Sequence, residues 1–470
     1  MRTLVWFRGK DLRVSDHAPL VDACRDGEVV PVFVLDPYFF APERARAYPH
    51  RMQFLLESLD SLEKNIEKLG SRLCYLEGKS AKVIPAAALA ARADRVVAHR
   101  WVEPFARERD RRVADALGDR FALYEGATLV PPGTIRTGGG TPFSVYTPFS
   151  RVARRAVSSA KPLAAPRSLP ALPDDVPLPD ARPPTLEALG IRRNEQVLPG
   201  GERAARARLE RFVERGIDGY EHARDRMGEA GTSRLSADLK FGTLSPRTVW
   251  HSIASSSASK ADKDKFTSEL LWREFTHHTL HDRPAVLDEP FRSDFTGFPW
   301  RDDPAGLSAW KEGRTGYPVV DAAARQLLAE GYVHNRARMV AASFLTKHLA
   351  ISYREGEAHY LSFLTDGDWA PNNAGWQWTA GCGCDAQPYF RVFNPVTQGE
   401  KFDAGGAYVR RWVPELAKLP DKWIHHPWEA PPDVLAAAGV RLGESYPRPI
   451  GDHATARSRF LALAKSHLGR

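Results

Sequence analysis

At 470 residues the chain is long for a single core, and two domains are expected. Hydrophobic residues at 43% and charged residues at 26% describe an ordinary soluble globular composition, and four cysteines are too few for a secreted disulfide framework. A formal charge of +8 with twelve tryptophans is a modest basic excess with surplus aromatics, the pattern of a protein that stacks on the bases of a polyanion.

No apolar run is long enough to span a bilayer, and Met1-Arg-Thr-Leu-Val-Trp-Phe7 leads straight into a strand without signal-peptide architecture, so no membrane partner and a cytoplasmic location are expected. Cys382 and Cys384 form a Cys-x-Cys pair with no second pair to complete a metal site, and no metal is expected. Leu4–Phe7, Val29–Leu35, Leu73–Leu76, Val96–Ala98 and Phe121–Tyr124 are short apolar runs separated by helical spacing such as Met52, Leu55, Leu56, Leu59, Leu62. Such alternation predicts a doubly wound parallel sheet over residues 1–130. Gly138 to Phe149 reads as a turn followed by extended chain, and eight prolines between Pro162 and Pro184 exclude a helix there. Residues 131–199 are therefore the expected connector. From Gly200 to the end the spacing is helical, as in Ala204, Leu209, Phe212 and Val213, which predicts an all-α second domain over 200–470.

Three stretches of the helical part carry chemistry. Asp366-Gly-Asp-Trp-Ala-Pro-Asn-Asn-Ala-Gly-Trp-Gln-Trp378 packs two carboxylates, three side-chain amides and three tryptophans into thirteen residues. That mixture is too polar for a core helix and too aromatic for a solvated loop, and it suits a planar redox ring. Thr232-Ser-Arg-Leu-Ser236 offers hydroxyls and backbone N–H groups at a helix start, a pattern that serves either as a cap or as an anion site. Glu269, Trp272 and Arg273 fall within about one helical turn and offer a carboxyl, an indole plane and a guanidinium together. His277, His278 and His281 form no His-Glu-x-x-His pattern, and no nucleophile elbow is present.

These stretches, with the opening Trp6-Phe-Arg-Gly-Lys-Asp-Leu-Arg13 and Asp16, resemble the DNA photolyase/cryptochrome family, and most closely its class I-type cyclobutane pyrimidine dimer photolyases. Gly9 departs from the usual opening. Trp310–Asp321 and Gly331–Met339 extend the resemblance, which runs from residue 2 to about 430.

The resemblance implies an α/β antenna-binding N-terminal domain and a helical domain that binds FAD and DNA. It places FAD among Tyr220, Thr232, Ser233, Arg234, Leu235, Ser236, Arg273, Asn335, Arg338, Asp366, Gly367, Asp368 and Asn372, with Arg338 paired to Asp366 and the Asn372 amide facing flavin N5. Trp272 and Trp378 would wall the lesion, and Glu269 would hydrogen-bond it, protonated by partial desolvation. Met339 stands where photolyases acting on cyclobutane dimers carry Met and those acting on 6-4 photoproducts carry His. Arg224, Arg336 and Gln398 resemble further DNA contacts. The family's three-tryptophan electron relay is matched by Trp376 and Trp300 with Tyr353 in the middle place, and Trp369 is a candidate detour. Arg51 and Glu103 fall where antenna contacts occur, with folate and deazaflavin both open.

The implied activity is light-driven splitting of cyclobutane pyrimidine dimers by electron transfer from reduced FAD to a lesion flipped out of duplex or single-stranded DNA, by a monomer. The alternatives are a cryptochrome-like blue-light photoreceptor and a photolyase acting on 6-4 photoproducts. A dark flavin oxidoreductase lacks a nicotinamide site, and an iron–sulfur photolyase would need four clustered cysteines.

Overall fold

The computed structural model of the protein describes residues 1–179 and 181–469, so one residue of the connector and the last residue lie outside it. The chain divides into two compact units, each assembled from non-contiguous segments. The first comprises Met1–Ile217, Ser233–Pro284 and Thr365–Gly367; the second comprises Asp218–Thr232, Ala285–Leu364 and Asp368–Arg470.

The first unit is built on five strands, β1 (Arg2–Phe7), β2 (Glu28–Leu35), β3 (Cys74–Glu77), β4 (Arg95–His99) and β5 (Phe121–Tyr124). They pair in parallel in the order β3-β2-β1-β4-β5. Helices Ala18–Asp26, Pro49–Lys68, Ser80–Ala90 and Pro104–Leu117 make the crossovers. β1 and β2 are apolar on both faces because helices cover both, which is why they read as continuous rather than alternating runs. The α/β prediction for the N-terminal region and the helical prediction for the remainder both hold.

Val157 to Gly201 contains no helix or strand among the described residues, as its prolines require. Some of its N–H groups bond the α/β layer: Leu163 N donates to Asp16 Oδ1 at 2.8 Å, and Leu169 N to Leu69 O at 2.6 Å. The turn-and-extended reading of 138–149 ends early, because Tyr146–Ala156 is a helix. Pro148 stands in its first turn, where a missing N–H leaves no intrahelical bond unmade. The Lys260–Asp282 helix of the same unit is capped by Ser259, whose side chain accepts from Asp262 N at 3.1 Å.

The second unit packs its helices around Trp310, Tyr317, Leu327, Val340, Phe344, Tyr360 and Trp376. Asn335–Ser343 continues into a π-helical turn, Phe344–His348. Trp369–Ala380 ends at Gly381, whose φ of 95° closes the helix in a conformation that favours glycine.

Candidate active site

In the first unit, Glu269 and Trp272 stand one turn apart on Lys260–Asp282, both partly exposed. The Trp272 indole lies flat against Tyr146, a contact the sequence did not signal. Arg273 is turned toward Glu274 Oε1 and Leu239 O, each at 3.4 Å. Burial raises the Glu274 carboxyl to about 7, although Leu129 N and Val130 N both donate to it. The three histidines of this helix serve structure: His277 Nδ1 is 2.8 Å from Arg273 O, His278 Nε2 is 3.3 Å from Val130 O, and His281 Nδ1 is 3.2 Å from Asp282.

Ser233 to Ser236 also belong to the first unit, and Arg234 has a φ of 55°. A left-handed residue inside such a loop turns successive N–H groups toward one side. The helix that follows, Ser236–Phe241, is only six residues long, so hydroxyls and loop N–H groups rather than a helix dipole would hold an anion here. Arg51 donates to Gly367 O at 3.0 Å and stacks over Tyr48. Glu103 is buried in an ion pair with Lys10. The two positions expected to touch an antenna thus have these protein partners.

Asp11, His17 and His99 are the one set among the described residues whose ligand atoms cluster closely enough to suggest a metal. Their hydrogen bonds account for the arrangement. His17 Nδ1 accepts from Leu20 N, which leaves Nε2 protonated and facing Asp11 at 3.6 Å, while His99 Nδ1 lies 3.0 Å from the same oxygen. Burial alone would raise Asp11, but the two imidazoles hold its carboxyl far below the usual range.

In the second unit the decisive helix is Trp369–Ala380. Asp368, Asn372 and Trp376 recur every four residues and share one face, while Asn373 and Gln377 share another. The second face is consumed by the fold. Asn373 donates to Val286 O and Glu357 Oε1, and Gln377 donates to Val286 O and accepts from Phe291 N. Two of the three amides that suggested a flavin cradle are therefore buried anchors for residues 286–291. Asn372 is the exception: its Nδ2 donates to Glu357 O at 3.1 Å, which directs its carbonyl oxygen away to accept elsewhere. Asp368 occupies the cap position of this helix yet makes no side-chain capping bond to it.

Glu357 was not singled out from the sequence. Burial raises its carboxyl to about 7, with the Asn373 amide opposing the shift. Nothing local marks it, since the partners that enclose it are distant in sequence.

Asn335 and Met339 meet at i,i+4, with Asn335 Nδ2 3.8 Å from the Met339 sulfur. Arg338 donates to Val333 O at 2.7 Å, and Thr232 Oγ1 lies 3.3 Å from the Tyr332 hydroxyl. Tyr220 is buried, and Gln398 and Trp378 are partly exposed. Arg224 and Arg336 converge on one carboxylate, Asp225, at 3.7 and 3.0 Å. Arg336 also stacks over Phe402. Asp225 directly follows Arg224 in the chain, yet only the fold brings Arg336 to it.

The relay residues are distributed unevenly. Trp300 and Tyr353 are edge to face with centroids 6.4 Å apart. Trp376 touches Tyr360 at 5.1 Å and Trp310 at 5.9 Å. No ring contact joins Trp369 to Trp376 among the described residues.

Residues 3–170 match the family model described as DNA photolyase, and residues 266–466 match that of the FAD binding domain of DNA photolyase. The chain belongs to the DNA photolyase family, and its helical part includes that family's FAD-binding domain. It is 40% identical over 468 residues to a deoxyribodipyrimidine photo-lyase of Agrobacterium fabrum, covering 98% of this chain and 96% of the relative. Among solved structures it resembles a bacterial class III photolyase from Agrobacterium tumefaciens, with a TM-score of 0.93 and 38% identity over 100% of this chain and 98% of the other. A Synechocystis cryptochrome follows at 0.90 and 31%, covering 98% and 99%. An archaeal photolyase from Sulfolobus tokodaii with two FAD molecules matches at 0.84 and 29%, covering 99% and 100%.

The residues present fit FAD. The Asn372 amide has its N–H committed to the fold and its oxygen able to accept, and the Thr232–Ser236 loop offers hydroxyls around a left-handed residue. These are partners that a flavin ring edge and a diphosphate require.

Proposed function

We propose that the chain splits cyclobutane pyrimidine dimers in DNA under blue light, acting as a cytoplasmic monomer on a dimer flipped out of the strand. When bound and reduced, FAD would supply the light-driven electron chemistry, lending an electron to the dimer and recovering it once the ring has split. No net oxidation results, so no co-substrate is needed.

The protein's own residues do the rest. Trp272 and Trp378 each offer an indole on which the flipped dimer can stack, replacing part of the base stacking lost on extrusion. Glu269 hydrogen-bonds the lesion, a contact that favours the reaction where it is stronger in the transition state than in the ground state. Asn372, whose Nδ2 is committed to Glu357 O, would offer its carbonyl oxygen as an acceptor to the flavin. Met339 supplies a soft apolar wall without a proton to give. Arg224, Arg336 and Gln398 hold the strand. An antenna of folate or deazaflavin type is assigned to the α/β layer.

The observation that carries the reading is the flat Trp272 indole one helical turn from Glu269, an apolar plate beside an acid. No helix among the described residues is long and apolar enough to cross a membrane. Offering the reduced enzyme either a cyclobutane dimer or a 6-4 photoproduct under blue light tests the lesion assignment. Loss of the dimer alone is expected; repair of the 6-4 product alone would overturn it.

A further inference from the structure

Tyr146 and Trp272 lie ring on ring, with centroids 3.7 Å apart and planes 7° from parallel. They come from different helices, Tyr146–Ala156 and Lys260–Asp282. The Tyr146 hydroxyl donates to Ser268 O at 2.8 Å and lies 2.6 Å from Ser268 Oγ. Ser268 precedes Trp272 by four residues, so the tyrosine is tied to the same helix, one turn from the indole it covers. Phe275 meets the edges of both rings, at 6.0 Å from Tyr146 and 5.9 Å from Trp272, and the buried Phe149 packs on Phe275 at 5.0 Å. Trp272 itself stays partly exposed.

An indole has two faces, and here one is fully occupied by a ring whose tilt is set by a hydrogen bond. The side chain is thereby held in one orientation before anything binds, and freedom already lost is not lost again on association. We propose that Tyr146 is a positioning residue for lesion recognition, fixing Trp272 as a one-sided stacking plate for the flipped-out dimer. This rests on the reading of Trp272 given above. Tyr146 need not touch the DNA to act in this way. A purely structural stack would stabilise the fold and affect all DNA alike, whereas a positioning role is specific to the lesion and passes through Trp272.

The test measures affinity for one duplex with and without a single cyclobutane dimer, using full-length enzyme loaded with FAD. The variants are Tyr146→Leu, Ser268→Ala, Trp272→Ala and the double variant Tyr146→Leu/Trp272→Ala. Tyr146→Leu is expected to weaken binding of the dimer-containing duplex by roughly 3- to 10-fold, the range of an aromatic pair, and to leave undamaged DNA unaffected. Ser268→Ala keeps both rings but removes the side-chain part of the tie, and about a twofold dimer-specific loss is expected, the low end for one hydrogen bond. That variant carries the test if Tyr146→Leu does not fold. In the Trp272→Ala background, Tyr146→Leu should add nothing. Equal losses on both DNAs, no loss in either single variant, or the same loss without Trp272 would each overturn the proposal. If Trp272→Ala leaves dimer affinity intact in an enzyme that still repairs dimers, the role given to Trp272 fails, and Tyr146's with it. If the parent enzyme repairs no dimers, the activity itself fails.

Discussion

Trp376 is seated directly on Gly356: a Cβ at that glycine would coincide with the far edge of the indole and press on Leu345 as well. Gly356 lies in the Tyr353–Phe363 helix, where alanine would ordinarily be favoured by about 0.5–1 kcal/mol. Contact with a buried indole reverses that sign. Gly356→Ala is expected to lower stability by about 1–3 kcal/mol, the usual cost of overpacking a core, and to slow flavin photoreduction by displacing Trp376. Thermal unfolding checks the first effect. An unchanged or raised Tm would show that the indole moves without cost.

Tyr353 should be a bottleneck in the relay. Burial pushes its phenol up to about 12, and its hydroxyl has no hydrogen-bond acceptor among the described residues. The Arg354 guanidinium lies over its ring at 5.6 Å, which further disfavours a positive hole there. Tyr353→Trp is therefore expected to accelerate bleaching of oxidised FAD by blue light with an external reductant, while repair by already reduced enzyme stays the same. Unchanged bleaching would mean that the hole does not pass this way. Trp310 and Tyr360, rather than Trp369, are the rings in contact with Trp376, so Trp369→Phe is expected to leave bleaching nearly intact; a large loss would restore the Trp369 detour.

Glu357 links the site to pH. Below its ordinary value of 4.5 the folded and unfolded chains are both protonated, and above about 7 both are ionised. Between those values only the unfolded chain has released its proton, so the contribution of Glu357 to stability falls as pH rises through that window. The stability of the parent enzyme minus that of Glu357→Gln should decline from pH 4.5 to 7 and then level off. Denaturant unfolding of both proteins at a series of pH values measures it. A flat or rising difference would contradict a buried protonated acid beside Asn373.

Asp225 sets how Arg224 and Arg336 meet DNA. With both guanidinium groups drawn to one carboxylate, the pair presents less net charge than two free arginines. Arg336→Ala should reduce the slope of log affinity against log salt on duplex DNA by about 0.9 and weaken damaged and undamaged DNA alike. Asp225→Asn should strengthen binding of undamaged DNA at low salt. A slope unaffected by either change would remove these arginines from the phosphate contacts.

How far the sequence reached depended on how local the cause was. All five strands were legible as apolar runs, and those at Leu4–Phe7 and Val29–Leu35 are produced by burial on both faces of a parallel sheet. The absence of helix and strand among the described residues between Val157 and Gly201 was legible from the prolines. The helix at Tyr146–Ala156 was not, since Pro148 and the glycines before it signal a turn unless the proline falls in a first turn. Within Trp369–Ala380 the helical period separates Asn372 from Asn373 and Gln377, but only the carbonyls of residues 286–291, far away in sequence, decide which amides are consumed by the fold. Glu357 and Tyr146 escaped for the same reason: their partners are brought to them by packing, and no spacing in the chain announces it.

The central claim is tested most directly by a single-turnover measurement on reduced, FAD-loaded enzyme and an oligonucleotide with one cyclobutane thymine dimer. The dimer's disappearance is followed under blue light and in the dark, with the flavin spectrum recorded before and after. Light-dependent restoration of the two thymines, none in the dark, and a flavin that ends as reduced as it began is the predicted result. Lesion binding without repair under illumination, or repair that consumes the reduced flavin in proportion to dimers opened, would contradict the account.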